Sequence, residues 1–154
     1  MENISVVAVK QVRERTLPYN VRPIRQPEDA YSILCEAMAL HEEAIEKFGV
    51  LLLDTKCNVN AIQIISAGTL DQTIVHPRSV FLAAVLANAR QMILFHNHPS
   101  GDPKASRADV DITLRLIDAS RIMGIPIIDH IIVGDGTFYS MRAHGDMPAP
   151  EGAA

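Results

Sequence analysis

Tryptophan is absent from the 154 residues, aromatic side chains make up only 5% of them, and two cysteines are the whole thiol inventory. Cys35 and Cys57 stand too far apart for a CxxC redox or zinc pair and are too few for a disulfide scaffold, so both read as reduced, ordinary residues. No apolar run approaches the roughly 18 residues that span a bilayer, and the N-terminus lacks the basic-then-apolar order of a secretory signal. The expected compartment is therefore the cytoplasm, with no membrane among the partners. Positive charge is scarce as well. A net charge of −4 with few stacking rings suits poorly a domain built to grip phosphate backbones. The basic residues that do occur early, Lys10, Arg13, Arg15, Arg22 and Arg25 against Glu2 and Glu14, form a solvated arm more simply than a nucleic-acid patch.

With 48% hydrophobic and 21% charged residues, the chain has the composition of one globular domain. The pattern divides it into an N-terminal strand and extended arm over residues 1–26, a domain over 27–145, and a disordered tail over 146–154. Ile4 to Val12 alternate loosely and predict an edge strand, and Pro18, Pro23 and Pro27 punctuate the connection that follows. From Glu28 the apolar spacing turns helical and predicts a helix ending near Ala44, with acidic residues in its first turn, where the helix dipole favours them. Phe48 to Leu53 and Ala61 to Ile65 predict two core strands around a turn at Asp54 to Asn58. Pro77 opens a second helix, Gln91 to Phe95 form a strand, Ser106 to Gly124 bound a long amphipathic helix, and Ile125 to Val133 and Thr137 to Met141 close the domain as strands.

One strand of this series ends on chemistry. His96 and His98 stand two apart where side chains alternate, so both face one way while Asn97 faces the other, and together they can bind one ion. A third ligand has to be returned by the fold, and Asp109, in the first turn of the next helix, is well placed to supply it. Ser106 and Asp109 also read as an ordinary capping box, a role compatible with ligation. Asp102 and Asp111 are possible competitors for Asp109, although Asp111 lies about 200° round the helix from it. His76 reads as a helix-entry residue and His130 as a satisfied core histidine more readily than as a support for the site.

His96-x-His98, seven residues, Ser106, two residues and Asp109 match the JAMM signature of JAB/MPN metalloproteins. The words around them, from His96 to Pro103, from Val75 to Arg78 and from Asp129 to Asp135, resemble the RadC branch in particular, and the resemblance covers roughly Pro27 to Gly145. It implies an α/β single domain with a mixed, curved sheet flanked by helices, of the cytidine-deaminase-like JAB/MPN kind. It also implies a Zn2+ ion on His96, His98 and Asp109, Glu46 as general base at the start of a core strand, and Ser106 as a donor to the developing oxyanion. Glu42 and Glu43 are the other acids in reach of the base's role.

Proteins of the RadC family usually carry a helix-hairpin-helix segment ahead of this domain, and residues 1–26 are too short to hold one. The expected function is thus a zinc-dependent metallopeptidase or isopeptidase acting on a peptide or isopeptide substrate. The alternatives are a DNA-repair or recombination accessory that uses the basic arm on nucleic acid, and a non-catalytic binding module stabilised by its zinc.

Overall fold

The computed structural model describes residues 3–68 and 75–150. Within them the chain runs α1 (Pro27–Met38), a 3-10 turn (Leu40–Glu42), β1 (Lys47–Leu53), β2 (Val59–Ala67), α2 (Pro77–Leu86), β3 (Gln91–Asn97), α3 (Arg107–Met123), β4 (Ile127–Val133) and β5 (Phe138–Ser140). A strand that is apolar at nearly every position has no face to give to water, so it must lie inside a sheet covered on both sides. β1 is buried from Phe48 onward and β3 throughout, and they are neighbours in a five-stranded mixed sheet of order β2-β1-β3-β4-β5. Only β3 and β4 run parallel; the crossover between them is α3.

Strand parity divides the core in two. Phe48, Val50, Leu52, Met92 and Leu94 pack against Val80, Phe81 and Ala84 of α2 and Ile112, Leu116 and Ile117 of α3. Leu51, Leu53, Ile93, Phe95, Ile131 and Val133 face the other way, onto Ala30, Ile33 and Leu34 of α1. The result is a single α/β domain of three layers. Because His96 shares the parity of Met92 and Leu94, it comes out on the α3 side, and α3 begins there.

The turn from β1 to β2 is held by Asp54, whose Oδ1 accepts from the backbone N–H of Lys56 and of Asn58, bonds that lower its pKa. α3 stops where its sequence says it should, at Gly124 in the left-handed conformation with φ 66°. Among the described residues no helix is long and apolar enough to cross a membrane.

Three expectations are corrected. Ile4 to Val12 form no strand: no sheet edge lies beside them to complete a ladder, and Ile4 and Val6 are 94% and 99% exposed. The arm first touches the domain further on, where Tyr19 packs and Ile24 N–H donates to the Cys57 carbonyl at 2.9 Å. α1 ends at Met38 rather than near Ala44, because Ala39 turns left-handed (φ 50°) and swings Leu40 into the core beneath Ile33 and Leu34. The start of the expected disordered tail is fixed: Tyr139 donates to Asp146 Oδ2 at 2.6 Å and Met147 is buried in the α2–α3 core. That bond pushes the Tyr139 hydroxyl up to about 12. Residues 151–154 lie outside the described residues.

Candidate metal centre

The end of β3 and the start of α3 meet at one point. His96 Nε2 lies 2.9 Å from His98 Nε2, and the Asp109 carboxylate places Oδ1 3.2 Å from His96 and Oδ2 3.4 Å from His98. Ligand atoms about 2.05 Å from a tetrahedral zinc are about 3.3 Å from one another, so each histidine already stands from the other, and from one of the two Asp109 oxygens, at close to the spacing such an ion imposes. Their chemistry agrees. His98 Nδ1 is 2.8 Å from the backbone carbonyl of Asp102, which can only accept, so the proton sits on Nδ1 and neutral His98 turns its Nε2 lone pair inward. Lone pairs and a carboxylate aimed at one point repel unless a cation, proton or metal, lies among them.

Charge reflects this crowding. Burial pushes the Asp109 carboxyl up, but the adjoining His96 and His98 and the Ser106 hydroxyl outweigh it and hold the group well below the usual carboxylate range. The Asp109 hydrogen bond in turn raises the pKa of His98.

Glu46 reaches the same place from β1. Phe48 pairs with His96 across the antiparallel ladder, and continuing that register by two residues sets Glu46 opposite His98. Its carboxylate, His96 and His98 offer ligand atoms that all lie within 4.8 Å of one another, a group that could hold a metal ion. Glu46 is only partly buried. Glu43 is instead engaged by Lys47 Nζ, and Glu42 lies on the exposed side of the 3-10 turn.

Ser106 is the N-cap of α3. Its hydroxyl donates to Asp109 Oδ2 at 2.7 Å, its backbone N–H donates to the same oxygen at 2.7 Å, and Asp109 N–H returns a bond to Oγ at 3.2 Å. The capping box therefore also orients the carboxylate. Of the competing acids, Asp111 points into solvent and Asp102 contributes only its main-chain carbonyl. His76 caps α2, its Nδ1 accepting from Arg78 N–H at 3.0 Å.

The role of Asn97 escaped the pattern reading, and His130 combines the two roles considered for it. Asn97, which faces away from the histidines, is buried and clamps the segment that carries Glu46. Its Oδ1 accepts from Lys47 N–H at 2.8 Å and its Nδ2 donates to the carbonyls of Glu43 and Ile45 at 3.2 Å each. An asparagine between the two histidines, at the end of a run of apolar strand residues, was the available signal. His130 is a core histidine, as expected, but it also bonds the site: its Nε2 lies 2.7 Å from His96 Nδ1 and its Nδ1 2.6 Å from Thr113 Oγ1. Burial holds its pKa well below the ordinary histidine value, so the ring is neutral. Thr113 lies one helical turn beyond Asp109, a spacing that places both on one face.

Comparison with known proteins gives the family. The family described as the RadC-like JAB domain matches residues 24–146. The UPF0758 protein of Alkaliphilus oremlandii is 44% identical over 142 residues, 90% of this chain and 60% of its own length. Those of Desulforamulus reducens and Methanosarcina mazei are 48% and 42% identical, over 79% and 80% of this chain and 53% of their own lengths. The chain thus spans about half to three-fifths of these relatives, whose names state no activity.

Proposed function

The chain belongs to the RadC-like JAB domain family, and from that premise we propose that it is a zinc-dependent hydrolase, a metallopeptidase or isopeptidase. The observation that carries the reading is the convergence of His96, His98 and Asp109 on one point at 2.9–3.4 Å with Glu46 beside them. Two imidazoles and one carboxylate are a donor set that suits zinc. An ion held by three protein ligands keeps a position for water, lowers that water's pKa towards ~7 and polarises a carbonyl.

The protein's own residues supply the rest. Glu46 takes the proton from the attacking water and returns it to the departing amine, which a partly exposed carboxylate at the mouth of the site can do. Asp109 stays ionised, with the Ser106 hydroxyl and backbone N–H both donating to its Oδ2. At rest the Ser106 hydroxyl bonds Asp109 Oδ2, and an oxyanion forming beside that carboxylate is the acceptor to which it turns. Asn97 holds the Glu46 segment in register with His98 while these charges move.

Metal analysis combined with a peptide-library cleavage screen tests the reading, with wild type against His98→Ala. The expected result is about one zinc per wild-type chain and cleavage of a subset of peptides, both lost in the variant. A wild-type chain without zinc, or cleavage that survives His98→Ala, refutes it.

A further inference from the structure

We infer that Thr113 and His130 form a buried relay that fixes the tautomer of His96 and ties its ring to the main chain of Asp109, an assignment resting on the metal centre proposed above. The direction of each hydrogen bond follows from the one before it. Thr113 Oγ1 lies 2.6 Å from the Asp109 carbonyl oxygen, which can only accept, so the single hydroxyl proton goes there. Met141 Sδ, 3.5 Å from the same hydroxyl, is the weaker acceptor.

With its proton spent, Thr113 Oγ1 must accept at 2.6 Å from His130 Nδ1, which therefore carries a hydrogen. His130 is fully buried, and among the described residues neither ring nitrogen is bonded to a carboxylate, so the ring carries one proton and no more. Its Nε2 is then a bare acceptor, 2.7 Å from His96 Nδ1. That leaves His96 with its hydrogen on Nδ1 and its Nε2 lone pair directed at His98 and Asp109.

The relay runs from the backbone of one member of the site to the ring of another, so β3, β4 and α3 are joined through it. Phe48 closes its open side, with its ring edge-on to His130 at 5.6 Å between centroids. Such outer partners set ligand orientation and basicity. Thr113 and His130 are positioning residues.

Two measurements test this on the full chain. Ring-nitrogen NMR of the wild type should show His130 neutral with its hydrogen on Nδ1; a hydrogen on Nε2 overturns the relay. Thr113→Val keeps the shape but removes donor and acceptor, and should weaken zinc binding about 10- to 100-fold, whereas Thr113→Ser, which keeps the hydroxyl, should bind within about threefold of wild type. Equal zinc affinity in the Val and wild-type chains refutes the assignment, as does a Ser variant as weak as Val. If Thr113→Val does not fold, the Ser variant and the nitrogen spectrum still decide. A wild type that takes up no zinc sinks the metal centre instead, and the spectrum alone then judges the relay.

Discussion

Acidification should weaken zinc binding by a predictable factor. In the metal-free site His98 Nδ1 is committed to the Asp102 carbonyl, so the exchangeable proton resides on Nε2, the atom that faces Asp109. Asp109 raises the pKa of His98 above its ordinary value of 6.5, so near neutral pH an incoming ion must displace that proton. Asp109 itself is held below the usual carboxylate range, so it is already ionised at these pH values and releases nothing. One proton displaced corresponds to about 1.4 kcal/mol, or about tenfold in affinity, per pH unit below the raised pKa.

The apparent zinc affinity, measured by competition with a chelator of known pH behaviour, should fall at least about tenfold from pH 6.5 to pH 5.5. The metal-free fold responds with the opposite sign. The contribution of His98, whose pKa is raised, is complete below about 6.5 and is lost as pH rises through the folded value. That of Asp109, whose pKa is depressed, is present above about 3.9 and is lost only as pH falls through the folded value. The gap in Tm between zinc-loaded and metal-free protein should therefore widen from pH 6 to pH 8. An affinity independent of pH, or a gap that narrows, refutes the assignment of His98 as an inward-facing ligand.

Asn97→Ala should leave zinc content intact but lower kcat about 10- to 100-fold, because a base held on a loosened segment loses its alignment; an unchanged kcat removes Asn97 from the account. Gly49→Ala should destabilise the fold by about 1–3 kcal/mol, read as a lower Tm, because an added Cβ collides with the Phe95 ring and the Gln63 carbonyl; an unchanged Tm contradicts this packing. Removing residues 1–17, which precede the docked Tyr19 and Ile24, should change neither Tm nor the salt-dependent retention of DNA; a loss of DNA affinity on truncation revives the nucleic-acid role for the basic arm.

The parts of the fold legible in the sequence were those with a repeating local cause. β1 and β3 announce themselves as buried strands through unbroken apolar runs, and α3 through a Ser106 cap, a helical apolar stripe and the Gly124 stop. His96 and His98 were legible because a two-residue alternation fixes their side. What local pattern does not encode is which partner a segment will find. Ile4 to Val12 have a strand's composition but no edge to join, and Leu40 leaves the helical path because the α1 core claims it. Met147 sits in a stretch of small residues and proline and is nonetheless buried. The Asn97 clamp and the His96–His130–Thr113 chain depend on residues 17 to 54 positions apart meeting across strands, so no spacing rule reveals them.

The proposed chemistry needs both a zinc held by His96, His98 and Asp109 and Glu46 as the group that moves the proton. Glu46→Gln separates the two, because the amide keeps the side chain's shape and cannot act as a base at neutral pH. Zinc content and the rate of peptide or isopeptide cleavage should be measured on the same preparations of wild type and variant. About one zinc per chain is expected in both, and cleavage only in the wild type. Equal cleavage by Glu46→Gln contradicts it.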